Sequence, residues 1–242
     1  MKLRIVAISD THEQHQQIDL PEGDLLICAG DISFNGRPQA IADFNRWFAA
    51  QPHRFKILIA GNHDFLFEEN HAMARDLLSE EIIYLEDSGC QLLQVIDRSP
   101  LASREGGLPP LSLVEEDERR QANTLLKFWG SPITPWFFNW AFNRHRGAPI
   151  RRHWDKIPGD TEILITHGPP AGILDRNSAG EPTGCEDLRL TVDRIKPRLH
   201  IFGHIHEAYG VEEHDGTIFV NACQLDERYR LAHEPVVITL DI

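Results

Sequence analysis

Five short apolar runs in this chain each end in a block of small, acidic and imidazole-bearing residues, and that pattern constrains the fold most. Residues 3–8, 25–29 and 55–60 are rich in β-branched and aliphatic side chains and are too short for helices. Each stops at a polar or glycine-containing turn, as buried strands of an α/β sheet do. Between the second and third runs, Ile41, Phe44, Trp47 and Phe48 recur at helical spacing behind Pro38, which predicts a helix over 37–50. A second set of strands is predicted at 162–166, 200–202, 217–221 and 236–240, with a helix near 185–195 bounded by Pro197. No long helices separate the late strands, so part of the second half is expected to be antiparallel. The fold class is α/β. A length of 242 residues, 41% hydrophobic and 25% charged, fits one domain spanning 1–242.

Two segments stand apart. Residues 97–122 are rich in Pro, Gly, Ser and charge and read as a surface insertion, with a solvated charged helix face at 115–120. Residues 131–156 hold Trp136, Phe137, Phe138, Trp140, Phe142 and Trp154 beside Arg144, Arg146, Arg151, Arg152 and Lys156. Core packing accounts for most of these aromatics. The functional reading has Trp136 or Phe137 stacking on a nucleobase while Arg144 or Arg146 steers an anionic substrate.

The formal net charge of −13 argues against long nucleic acid as a partner, because that binding needs a basic footprint. No apolar run reaches the length of a membrane span, and the first residues lack the features of a signal peptide. Cys28, Cys90, Cys185 and Cys223 are widely spaced, as reduced thiols in a cytoplasmic protein would be.

The chemistry lies in the blocks that follow the strands: Asp10-Thr11-His12, Gly30-Asp31, Gly61-Asn62-His63-Asp64, Thr166-His167-Gly168 and Gly203-His204-Ile205-His206. Ligands gather at the C-terminal ends of strands in open α/β sheets. In extended chain, residues i and i+2 face one way, so Asp10 with His12, and His204 with His206, can each present two ligands to one spot. Carboxylate, imidazole and amide oxygen without thiolate suit Mn, Fe or Zn in a reactive rather than structural site. Asp10, His12, Asp31, Asn62, His167, His204 and His206 are too many for one tetrahedral ion but fit two divalent ions sharing a carboxylate. Two ions about 3.5–4 Å apart can hold a bridging hydroxide and clamp a phosphate. His63 is left for acid–base work, oriented by Asp64. Of the thirteen histidines, His15, His53, His71, His145, His153, His200, His214 and His233 fall outside the blocks and read as surface or structural residues.

The ordered set D-x-H, GD, GNHD, H and GHxH resembles that of the calcineurin-like metallophosphoesterases. The resemblance implies a four-layer α-β-β-α sandwich of two mixed sheets, with the dimetal site at the strand ends. It implies Asp10, His12, Asp31 and His206 on one ion, and Asp31, Asn62, His167 and His204 on the other. His63 matches the family's catalytic histidine. The stretches 8–12, 134–137, 166–170 (THGPP) and 197–207 (PRLHIFGHIHE) are similar to the metallophosphoesterase-domain-containing subgroup. That likeness implies a phosphodiesterase acting on small cyclic-nucleotide-like diesters through a metal-bridging hydroxide. The alternatives are a phosphomonoesterase or protein phosphatase on the same fold, or a low-turnover nucleotide-binding or scaffold protein.

Overall fold

The computed structural model describes residues 2–93 and 125–242. The expected insertion at 97–122, with its charged helix face, lies outside the described residues. Strands β1 (Lys2–Ile8), β2 (Leu25–Cys28), β3 (Phe55–Leu58) and β4 (Ile82–Tyr84) run parallel as neighbours in one sheet. The second sheet has the order β11 (Gly210–His214), β12 (Thr217–Asn221), β10 (Leu199–Phe202), β9 (Ile163–Thr166), β6 (Leu125–Ser131) and β5 (Ser88–Leu93). Its middle pairings are parallel, while β11–β12 and β5–β6 are antiparallel. Both sheets are therefore mixed once the final strand, β13 (Val236–Asp241), is counted.

That strand departs from the sequence-based grouping. It leaves the second set and pairs antiparallel with β1, Lys2 opposite Asp241 and Ile5 opposite Ile238. The physical reason is its alternation: Val236, Ile238 and Leu240 are buried, and the residues between them face outward, as suits a sheet edge. Strands β4, β5 and β6 were not anticipated. Ser88–Leu93 reads SGCQLL, with little of the β-branched enrichment that marks strands.

Side-chain alternation builds the layers. Leu3, Ile5 and Ala7 of β1 point between the sheets, where they join Ile27, Ile57, Phe128, Ile163 and Ile201. Val6 and Ile8 point the other way, onto Ile41, Phe44 and Phe48 of α1 (Pro38–Ala49). Two short helices, α2 (Phe65–Glu69) and α3 (His71–Asp76), follow the third block and bury Phe67 and Ala74. The outer face of the second sheet carries Trp129, Leu164 and Phe202 against Trp154 of α4 (Ala148–Trp154) and Leu188 and Val192 of α5 (Glu186–Ile195). The result is helix, sheet, sheet, helix, the four-layer arrangement. α1 starts on Pro38, whose fixed φ suits a first turn. α5 ends at Lys196 in left-handed conformation, just before Pro197.

A small parallel pair, β7 (Thr134–Pro135) with β8 (Asn143–Arg144), closes the aromatic loop between them. The five motif blocks all follow strands: β1, β2 and β3 in one sheet, β9 and β10 in the other. The carboxyl ends of two facing sheets thus aim their blocks into one cleft.

Candidate metal centre

The blocks reach the cleft through strained backbone. Asp10, His12, Asp31 and His204 have φ of 54°, 38°, 53° and 70°, the left-handed region that costs most residues about 1–3 kcal/mol. Backbone bonds hold these bends in register: Asp10 N–H donates to Gly30 O at 2.9 Å, and His12 N–H to Asp31 O at 3.0 Å. Two glycines make room. A Cβ at Gly61 would collide with Asp31 and reach 2.6 Å from His167 Cε1, and one at Gly203 would collide with Asp10 and Ser9.

The imidazoles are aimed by their outer nitrogens. His12 Nδ1 donates to Ser33 O at 3.1 Å, His167 Nδ1 to Ala29 O at 2.9 Å, and His206 Nδ1 to Asp226 O at 2.9 Å. A carbonyl can only accept, so each inner Nε2 keeps its lone pair when the ring is neutral. Those lone pairs meet other acceptors. His167 Nε2 lies 2.9 Å from Asn62 Oδ1 and 3.3 Å from Asp31 Oδ2. His12 Nε2 is 3.7 Å from Asp31 Oδ2, and His206 Nε2 is 3.4 Å from Asp10 Oδ1. His12 Nε2 and Asp10 Oδ1 are buried without a hydrogen-bond partner. Acceptors facing acceptors in a buried cleft ask for cations, and the donors suit a divalent ion.

The possible ligand groups are Asp31–His167–His204, His12–Asp31–His63 and Asp10–His206–Cys223. Asp31 belongs to two of them. Asp10 has one oxygen committed, since Oδ2 accepts from His204 N–H at 2.9 Å and from the Cys223 thiol at 3.1 Å, leaving Oδ1 toward His206. Cys223, placed by the sequence among plain reduced thiols, is therefore part of the site's support. Only its distant partner Asp10 could have revealed that.

His63 belongs to one of these groups, and its backbone N–H donates to Asp31 Oδ1 at 2.8 Å. Asp64 was expected to orient it and does something else. Its carboxylate accepts from Gly61 N, Ile32 N, Ser33 N and Ser33 Oγ at 2.7–3.2 Å, stapling two ligand-bearing loops together. The His63 ring is held instead by Phe34, whose carbonyl accepts from Nδ1 at 2.8 Å. Asp64 points away because Ile32 and Ser33, in the loop after β2, take up its carboxylate.

The pocket over these residues is lined by Phe137, Trp140, Tyr229, Glu207 and Glu227 as well as by the histidines. Phe137 lines the pocket and packs edge-on against His204, with ring centroids 5.2 Å apart. Trp136 and Arg144 are elsewhere. Trp136 packs on His145 at 5.3 Å outside the pocket lining, and Arg144 donates to Glu68 at 2.9 Å. Arg146 is likewise engaged by Glu186 and by the Gly184 carbonyl. Internal acids thus spend the basic segment on packing the fold. Trp140 and Tyr229 line the pocket instead: the Trp140 ring centroid lies 4.2 Å from that of His63, and Tyr229 lies 4.9 Å from His12 and 5.1 Å from His206.

A profile of the calcineurin-like phosphoesterases matches residues 3–208. The chain belongs to that family. It is 36% identical over 239 residues to metallophosphoesterase domain-containing protein 1 of Homo sapiens, covering 98% of this chain and 71% of the human protein. UPF0046 protein K07C11.7 of Caenorhabditis elegans is 34% identical over 248 residues, covering 97% of this chain and 74% of the worm protein. Among solved structures, TT1561 of Thermus thermophilus shares the fold with a TM-score of 0.55 at 12% identity, covering 100% of this chain and 99% of that one. Family membership makes the chain a metal-dependent phosphoester hydrolase, built around a dimetal centre and acting on small phosphate esters.

The electrostatics of this calcineurin-like centre show the same demand for positive charge. Burial works against protonating His167, yet the Asp31 carboxylate and the bond to it lift the group to about 9. His206 is lifted to about 9 in the same way, against burial, by its contact with Asp10. Each imidazole would take a proton where no metal ion supplies charge. His12 and His204 go the other way: burial pushes them down to about 4 and about 3, leaving neutral, ligand-ready rings. Among the described residues, no helix is long and apolar enough to cross a membrane.

Proposed function

We propose that this phosphoesterase hydrolyses small phosphodiesters, with cyclic nucleotides as the leading candidates. The observation that carries the reading is His63: its Nδ1 is tied to Phe34, its ring faces the pocket, and its Nε2 is the nitrogen left toward a substrate. Diester hydrolysis needs such a group, because an alkoxide leaves poorly without a proton. The walls support an organic second group, since Phe137, Trp140 and Tyr229 present ring faces and edges beside the ligand cluster.

In this reading Asp10, His12, Asp31 and His206 hold one divalent ion, and Asp31, Asn62, His167 and His204 hold the other, with Mn, Fe or Zn suited to the donors. When bound, the pair supplies positive charge against the phosphoryl oxygens and acidifies a water for attack on phosphorus. His63 protonates the leaving oxygen, and Asp64 keeps the two loops that carry Asp31 and Asn62 at a fixed separation. The free thiols Cys28, Cys90, Cys185 and Cys223 support a cytoplasmic setting.

The test is a rate panel on aryl phosphodiesters, aryl phosphomonoesters and 2′,3′- and 3′,5′-cyclic nucleotides, each with Mn, Fe, Zn and Mg. Faster turnover of diesters is the expected outcome. A monoester preference would favour the phosphatase reading, and a nucleotide that stays bound and unhydrolysed for hours would favour a binding protein.

A further inference from the structure

Beyond the ligand cluster, the pocket lining turns acidic. Glu207 and Glu227 stand among its residues, and among the described residues no lysine or arginine lines it. Glu207 follows His206 in a short 3-10 turn, and its Oε1 accepts from Ser178 N–H at 3.0 Å, which anchors the carboxylate without neutralising it. Glu227 follows Asp226, whose carbonyl holds His206. Its near cation is Arg228, 3.5 Å away and 70% exposed, where solvent screens the pair. Other cations around the cleft are committed elsewhere. Arg230 binds Asp226 through two nitrogens, Arg144 binds Glu68, and Arg37 binds Glu13.

The pocket is thus layered by charge. At its floor stand the buried Asp31 and Asn62, beside the Asp31–His167–His204 and His12–Asp31–His63 groups where cationic charge and a phosphoryl group belong. At its rim, two carboxylates act on whatever extends beyond the phosphoryl group. A phosphodiester carries one negative charge near neutral pH, whereas a monoester approaches two because its second pKa is about 6. In a cleft with low-dielectric walls, that extra charge feels both rim carboxylates more strongly than it would in water.

We propose that Glu207 and Glu227 set the charge class of the substrate, admitting esters with one negative charge and an uncharged or cationic organic group while disfavouring any that carry a second. The proposal rests on the phosphoester-hydrolase reading and sharpens it. Hydrolysing a diester adds water across one P–O bond and yields an alcohol and a monoester, whose new P–OH group then ionises. The carboxylates that tolerate the substrate therefore repel the product, so one device serves both selection and release.

The test measures binding, so it does not depend on turnover. Mn-loaded wild type, Glu207→Gln, Glu227→Gln and the double variant are titrated calorimetrically with inorganic phosphate and with dimethyl phosphate, a monoanion. Glutamine keeps an acceptor for Ser178. Phosphate affinity is expected to rise roughly tenfold in the double variant and dimethyl phosphate affinity by under about threefold, with the difference shrinking in 0.5 M salt. Equal gains for both anions, no gain, or no phosphate binding by any of the proteins would overturn the proposal. Failure of the wild type to hydrolyse any ester would remove the hydrolytic reading alone, and the affinity ratios would still decide the rim.

Discussion

The Nδ1–H of His63 donates to the carbonyl oxygen of Phe34 at 2.8 Å, and that bond determines which nitrogen the ring offers to the pocket. Trp140, with its ring centroid 4.2 Å from that of His63, restricts the same imidazole from one side. A general acid held this way needs no carboxylate behind it. His63→Ala is expected to lower kcat on a diester about 10²–10⁴-fold, while metal affinity stays near that of the wild type. Steady-state rates with Mn and a parallel metal titration check this. A variant that turns over at nearly the wild-type rate would remove His63 from the reaction.

Asp31 is the group on which both halves of the cluster converge, with Oδ2 facing His167 and His12 and Oδ1 accepting from His63 N–H. Asp31→Ala is expected to lose both metal ions rather than one. Elemental analysis after dialysis gives the stoichiometry, and a melting scan with added Mn should show the metal-dependent rise in Tm disappear. Retention of one ion at wild-type affinity would mean that the carboxylate is not shared.

The glycines beside the ligands can be tested without touching a ligand. Gly203→Ala places a methyl group onto Asp10 and Ser9, whereas Gly159 has nothing within 4 Å of an added Cβ. Gly203→Ala is expected to weaken metal binding by at least ~10-fold, through displacement of Asp10, and Gly159→Ala to leave it unchanged. Calorimetric titration of both variants separates crowding from any general effect of replacing a glycine.

His200 supplies a pH-dependent prediction about stability. The Thr166 hydroxyl donates to Gly168 O at 2.7 Å, so His200 must donate to that hydroxyl through Nε2–H, at 2.8 Å. Its buried Nδ1 has no partner, and burial pushes the group down to about 3. The folded pKa lies below the ordinary 6.5, so as pH falls through 6.5 the unfolded chain takes a proton that the folded chain refuses. Stability is flat in this respect above 6.5 and declines from there toward 3, by about 2 kcal/mol at pH 5. Urea unfolding of His200→Gln between pH 7.5 and 4.5 should show a shallower decline than the wild type. Parallel curves would place the titration elsewhere.

Much of the centre was legible because its ligands sit where short strands stop, and apolar runs followed by Asp, Asn or His survive in the sequence as local patterns. What failed to show was everything that depends on a distant segment. Asp64 follows His63 directly, which suggests a pair, yet its donors come from Ile32 and Ser33 on a different loop. Trp136 and Trp140 look equivalent in a run of aromatics without periodicity. The β7–β8 pair decides which of them faces His63 and which faces His145. Tyr229 comes from a loop with no motif at all, and its left-handed φ of 57° is visible only in the backbone. The excess basic charge at 144–156 suggested substrate steering. Its partners Glu68, Asp87, Glu186 and Asp187 lie far away in sequence and absorb it.

The antiparallel partnership of β13 with β1 has a consequence for how the chain is made. During vectorial synthesis β1 emerges well before β13, so one of its edges stays bare until residues 236–241 follow. The two strands are far apart in sequence, so their pairing is among the slowest contacts for the chain to find. Until then the nascent first sheet is a template for pairing with other chains. Ribosome-stalled chains ending before Val236 should therefore recruit holding chaperones, and release from them should follow emergence of the closing strand from the ribosome.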